Sequence, residues 1–205
     1  RFLFRFLGVR ALKSVLKGAS VYFYVTKVSL QSLYPPEENR FSTSASDVVL
    51  LPDAFAEKPK KLKIKTAYKI IAVGSLEALY KAPDVAIDAI ALLEKKGLNV
   101  ELTWLGDGRF KGAMIEYAKK KCILDRVKFM GNVANAEDVR TYLDFADLFV
   151  LPSRTEGLPR AIVEAMARGL PCVSTTAGGI PELLDNVSLV PVNDPKLLAE
   201  KILEF

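Results

Sequence analysis

The sequence predicts an α/β protein: a doubly wound, Rossmann-like parallel sheet preceded by a remnant β-α-β unit. Three observations predict it. From Tyr68 onward, strand-like and helix-like segments alternate, with a repeat of about 25 to 30 residues, the rhythm of βαβ units with right-handed crossovers. The strand candidates are near-continuous apolar runs, as in Tyr68 to Gly74 (YKIIAVG), which suits parallel strands buried on both faces. The chain has 205 residues, enough for one full domain of about 150 residues but not for a second.

The elements follow in order. Ser20 to Thr26 reads as a strand, Val28 to Leu33 as a short helix broken by Tyr34-Pro35-Pro36, and Asp47 to Leu51 as a strand. One such unit is too little for a domain and reads as the tail of a preceding sheet. The main sheet starts at Tyr68 to Gly74. A helix from Pro83 to Lys96 follows, with proline in its first turn and Gly97-Leu98-Asn99 as punctuation. Val100 to Leu105 is a strand, and Gly106-Asp107-Gly108 turns into a helix from Phe110 to Lys121. Strand Val127 to Met130, helix Ala136 to Phe145 and strand Leu148 to Leu151 come next. Helix Pro159 to Arg168, strand Pro171 to Ser174, strand Leu189 to Val192 and helix Leu197 to Phe205 complete the pattern. The expected division is 1–55 for the remnant, 56–66 for a linker and 67–205 for the main domain. Ligands of such sheets bind at the carboxyl ends of the strands, so the loops after Gly74, Leu105, Met130, Leu151 and Ser174 are the ones to inspect.

Composition narrows the chemistry. The chain is 50% hydrophobic and 26% charged, has no histidine, and has two cysteines, Cys122 and Cys172, far apart. Catalysis through Ser-His-Asp or Cys-His is excluded within it, as are histidine metal sites and a disulfide framework. Catalysis must use carboxylates, Lys/Arg, hydroxyls and backbone amides. No apolar run reaches the roughly 18 residues of a membrane span, and a reducing, cytoplasmic setting is expected.

The charge is uneven. Residues 1–70 carry 13 Lys/Arg against five Asp/Glu, and residues 71–205 carry 16 against 19. Part of the basic excess lies in Arg1 to Lys17, where Phe2, Phe6, Val9, Leu12 and Leu16 share a helical face. Such a face is more often packed in a domain; a peripheral contact of residues 1–17 with an anionic membrane surface is the second reading. The other part, Lys58 to Lys69, reads as a solvated linker. Few aromatics accompany it and the larger domain is acidic, so no nucleic-acid partner is expected. The start at Arg1, without Met, together with the basic remnant, suggests a piece of a longer protein.

The segment Leu151 to Glu164 (LPSRTEGLPRAIVE) is the richest in chemistry. A strand ends, a short loop follows, and Pro159 opens a helix. Unpaired amides and the positive end of the helix dipole then cluster near Gly157, Leu158, Arg160 and Ala161, as an anion site. Glu156 and Glu164 bracket it. A nucleotide sugar has three parts in series, ribose, diphosphate and hexose, and carboxylate, helix start and carboxylate match those parts in order. Spacing alone leaves two ordinary helix acids as the simpler account.

The wider pattern decides between them. Glu156 and Glu164 form Glu-x7-Glu within the stretch Pro152 to Val173. With Val73-Gly74-Ser75-Leu76, Lys81, Gly106-Asp107-Gly108, Phe129-Met130-Gly131, Ala146-Asp147 and Gly178-Gly179-Ile180-Pro181-Glu182, this closely resembles retaining glycosyltransferases of family 4. The resemblance implies a GT-B fold, of which residues 67–205 would be the C-terminal donor-binding half. Tyr24-Val25-Thr26-Lys27, Leu30-Gln31 and Tyr34-Pro35 are similar to the capsule- and exopolysaccharide-assembling members.

The resemblance also implies roles. Glu156 would hold hydroxyls of the transferred sugar, and Glu164 the ribose diol. Amides of Leu158 to Ala161 would meet the diphosphate, and Lys81 would neutralise it as it leaves. Val133 would face the base. The donor would be a UDP- or GDP-linked sugar, the acceptor a glycan or lipid-linked saccharide, with no metal or cofactor. The family often has Arg after Gly74; here Ser75 stands there, and a hydroxyl does not replace a guanidinium on phosphate. Arg154 or Arg160 is the expected substitute. The residues alone are expected to bind a nucleotide weakly and turn over nothing.

Weaker signals compete. Gly106-Asp107-Gly108 loosely matches a dinucleotide fingerprint, so a nicotinamide-dependent oxidoreductase domain is an alternative, and a non-catalytic membrane-associated scaffold another. A glycosidase pair is disfavoured, because carboxyl pKa values near a helix N-terminus are expected to fall.

Overall fold

The computed structural model describes residues 2–61 and 63–205, with side chains from Val9 onward. The chain forms two compact units, Arg1–Asp47 and Val48–Phe205.

In the first unit, helix α1 (Phe2–Leu16) leads to strand β1 (Val21–Tyr24), helix α2 (Ser29–Leu33) and strand β2 (Phe41–Ser44). The strands pair in parallel, Val21 opposite Phe41. β1 alternates: Tyr22 and Tyr24 are buried, and their hydroxyls donate to the carbonyls of Leu16 and Tyr34, both at 2.6 Å. The strand expected at Asp47 to Leu51 lies instead at Phe41–Ser44. The run Val48 to Leu51 has strand-like composition but no ladder; it is irregular and ends at Pro52, which opens a 3₁₀ turn. Apolar content needs a neighbouring strand to become one. On α1, Val9 and Leu16 are half-buried and Leu12 is 44% exposed. Phe2 and Phe6, the rest of the predicted face, lie outside the described side chains.

The second unit is a six-stranded parallel sheet: β3 (Tyr68–Val73), β4 (Val100–Leu105), β5 (Val127–Gly131), β6 (Leu148–Leu151), β7 (Cys172–Thr175) and β8 (Leu189–Val190). The order across the sheet is β5-β4-β3-β6-β7-β8. The connecting helices are α3 (Pro83–Lys95), α4 (Lys111–Lys120), α5 (Ala136–Phe145), α6 (Arg160–Ala167) and α7 (Pro195–Leu203). Helices α3, α4 and α7 cover one face, where Trp104, Ile87 and Leu93 are fully buried. Helices α5 and α6 cover the other around Phe149, Leu151 and Ile162. The chain builds outward from β3 to β5, returns to β6 beside β3, and builds the other way. That reversal opens a crevice at the carboxyl ends of β3 and β6.

The lysine run is not wholly solvated. Lys60 donates through its ammonium to the carbonyls of Asp144 (2.5 Å) and Ala146, and Lys65 pairs with buried Asp147. The amides of Ala56 and Lys60 bond to the carbonyls of Ala167 and Gly169. Lys61 and Lys63 are exposed.

Candidate active site

The crevice is built from loops that lock into one another. After β3, Gly74 donates to Leu105 O and Leu76 to Asp107 O. Trp104, fully buried, donates its indole N–H to Gly74 O at 2.8 Å. Gly106 (φ +136°) and Gly108 (φ +149°) pack so tightly on this loop that an added Cβ would lie 2.1 Å from Gly74 O or Glu77 N. The glycines of the dinucleotide-like pattern therefore serve close loop packing, an account that needs no ligand.

Lys81 ends a 3₁₀ turn, Leu79–Lys81, after which Ala82 takes φ +52° to start α3. Its stem crosses Gly74, where a Cβ would sit 3.0 Å from Lys81 Cγ. The ammonium donates to Glu156 Oε1 at 2.7 Å, with side-chain exposures of 13% for Lys81 and 7% for Glu156. Two groups 75 residues apart thus meet across the reversal point, one from each flanking loop. A nearly dry ion pair places a cation and an acceptor side by side at the strand ends, where neither is lost to bulk water.

The loop after β7 holds the Glu156 side. Gly179 donates to Gly157 O at 2.8 Å, and Gly178 (φ +55°) lies where a Cβ would stand 2.0 Å from Glu156 O. Helix α6 then starts at Arg160 with Pro159 before it and no side-chain cap. Among the described residues no acceptor pairs with the amides of Leu158, Arg160 or Ala161. These donors and the dipole's positive end form an anion-receptive edge beside Glu156.

Glu164, inside α6, lies elsewhere. With Val133, Val139, Leu143, Arg160 and Leu50 it lines a cleft of about 340 Å³ between α5, α6 and the segment before Pro52. Burial there pushes its carboxyl above the usual range, opposed in part by Arg160 at 3.8 Å. This corrects the expectation that the pKa falls: Glu164 stands a turn inside the helix, beyond the reach of the terminal amides, and desolvation prevails. Val133 packs against the apolar cluster at this mouth.

The remaining predicted residues divide. Gly74 and Gly157 join the Lys81–Glu156 corner, and Arg160 joins the Glu164 cleft. Ser75 is exposed, and its hydroxyl accepts from Glu77 N within its own loop at 3.1 Å. Arg154 is not a spare phosphate cation, because its guanidinium forks onto Asp84 at 3.0 and 2.6 Å. Arg160 is 66% exposed and keeps its charge near the helix start. Sequence reasoning missed Asp84, which looks like an ordinary first-turn acid, and Ser153, fully buried with a hydroxyl that lacks a partner among the described residues. No three of the described His, Cys, Asp or Glu side chains converge as metal ligands.

The fold is a Rossmann-like α/β architecture with a crevice at the carboxyl ends of β3 and β6. Residues 67–205 match the family described as "Glycosyl transferases group 1", and the chain belongs to it. It is 35% identical over 190 residues to Protein CapJ of Staphylococcus aureus, covering 93% of this chain and 47% of that protein. It is 38% identical over 163 residues to the amylovoran biosynthesis glycosyltransferase AmsK of Erwinia amylovora, covering 72% and 40%. Among solved structures, Anabaena HepE in complex with UDP and glucose superposes with a TM-score of 0.74 at 20% identity; it matches 95% of this chain and 56% of that one, a likeness of fold. The chain thus spans about half the length of these proteins. The family match lends nothing to the oxidoreductase or scaffold alternatives. No described helix is long and apolar enough to cross a membrane.

Proposed function

We propose that residues 67–205 are the donor-binding part of a family 4 glycosyltransferase, which transfers a sugar from a UDP- or GDP-linked donor with retention. The acceptor is a polysaccharide or lipid-linked saccharide. Because the chain spans about half of its relatives, transfer is proposed for the whole enzyme and donor binding for these residues. The observation that carries the reading is the Lys81–Glu156 pair at the β3/β6 crevice, set beside the unpaired amides that open α6.

The diphosphate lies on the amides of Leu158, Arg160 and Ala161. Lys81 turns from Glu156 toward it, and Glu156, released, accepts from hydroxyls of the sugar. Glu164 holds the ribose diol at the cleft, with the base against Val133. As the bond from the anomeric carbon to phosphate breaks, the charge gathering on the diphosphate meets donors already aimed at it. The acceptor oxygen bonds to that carbon on the same face, and its proton passes to the departing diphosphate oxygen. Retention follows from the family resemblance.

A thermal-shift screen tests this. UDP or GDP is expected to raise the melting temperature with concentration, as mass action requires, while NAD and NADP leave it unchanged. Stabilisation by a nicotinamide dinucleotide alone would point back to the oxidoreductase alternative.

A further inference from the structure

We propose that Arg154 is a positioning residue that sets Lys81 against Glu156, and that it does not ligate phosphate. It stands two residues before Glu156, yet it holds the turn that ends in Lys81. Its backbone N–H donates to Tyr80 O at 2.7 Å, and its Nη1 donates to Leu79 O at 2.7 Å. The guanidinium also forks onto Asp84, in the first turn of α3, and its Nε donates to Asn193 Oδ1 at 2.6 Å. Asn193 takes φ +61° in the loop between β8 and α7. One side chain therefore ties its own loop to the loop after β3, to the start of α3 and to the loop after β8. Most of the five guanidinium donors are committed, and Asp84 neutralises the charge. A lysine, a point charge without the planar fork, cannot make this set of bonds.

The inference rests on the reading that Lys81 meets a diphosphate, and the experiment separates the two. Calorimetric titration of the chain with UDP and GDP, and with UMP and GMP, is run on wild type, Arg154→Lys, Arg154→Met, Asp84→Asn, Lys81→Ala and the Arg154→Met/Lys81→Ala double variant. Arg154→Met is expected to weaken diphosphate binding about tenfold, the order of loss from a misplaced group, and to leave monophosphate binding nearly unchanged. Arg154→Lys should lose as much despite its charge. Asp84→Asn should also weaken binding, whereas removing an acid beside a phosphate ligand would tighten it. In the Lys81→Ala background, Arg154→Met should add no further loss. Wild-type affinity in Arg154→Lys, or tighter binding by Asp84→Asn, overturns the positioning role. If Lys81→Ala binds the diphosphate like wild type, or if wild type binds neither nucleotide, the donor-site reading falls and the positioning role with it. Should Arg154→Met fail to fold, Arg154→Lys and Asp84→Asn carry the test.

Discussion

Glu156 and Glu164 belong to one motif, eight residues apart, yet the molecule treats them in opposite ways. Glu156 is nearly buried but matched: Lys81 stands 2.7 Å away. Glu164 is half-buried in an apolar cleft, where Arg160, at 3.8 Å, compensates in part. The first carboxylate is held ready with its partner already in place; the second bears an electrostatic cost that a ligand hydroxyl would relieve. A single residue type thus acquires two physical states from its neighbours.

The largest expected effect comes from breaking the matched pair. Lys81→Ala leaves Glu156 buried and uncompensated, a loss of about 3 kcal/mol of stability by analogy with other buried pairs. It should also weaken diphosphate binding about 10- to 100-fold, the range of a charge-assisted hydrogen bond. The neutral double variant Lys81→Met/Glu156→Gln should recover most of the stability, measured by urea unfolding, and none of the affinity. Recovery of both would show the pair to be structural only.

Glu164→Gln should do the reverse, raising stability while weakening nucleotide binding. The folded-state pKa is raised, so the native chain holds the proton more tightly than the unfolded one. The cost of ionising Glu164 is absent below its ordinary value of 4.5 and complete once pH passes the raised value. The variant should therefore gain more in melting temperature at pH 7 than at pH 4. An equal gain at both would remove desolvation as the cause.

Arg160→Ala sharpens the comparison from the solvent side. The residue is 66% exposed, so stability should change by less than about 0.5 kcal/mol. Nucleotide affinity should drop severalfold at low salt, and the drop should shrink at high salt; unchanged affinity at low salt would discount Arg160 as the substitute for a residue absent at Ser75. The smallest effect is a contrast in thiols. Burial pushes Cys172 up to about 12, and Cys122 is exposed. A thiol reagent should label one cysteine in the folded chain and two after unfolding.

Much of the architecture was legible in the sequence, for identifiable reasons. Val100–Leu105, Ala136–Phe145 and Leu148–Leu151 match the structure to the residue, because apolar runs and helical spacing there end at glycine, asparagine or proline. Asp47 to Leu51 was misread because pairing, which composition does not report, makes a strand. The site residues were legible mainly through the motif. Their physical state was not. Lys81 and Glu156 lie 75 residues apart, Arg154 and Asp84 70, and both meetings depend on β6 lying beside β3. The desolvation of Glu164 depends likewise on α5 and on Leu50, which no local pattern reveals.

The most direct measurement is a ¹⁵N-resolved NMR titration of the chain with UDP and with GDP, following backbone amides. The stronger ligand is expected to shift the Leu158, Arg160 and Ala161 amides most, as each gains a phosphate acceptor, and Lys81→Ala is expected to blunt those shifts. Shifts centred on the Gly106 to Gly108 turn with the α6 amides unmoved would contradict the donor-site reading.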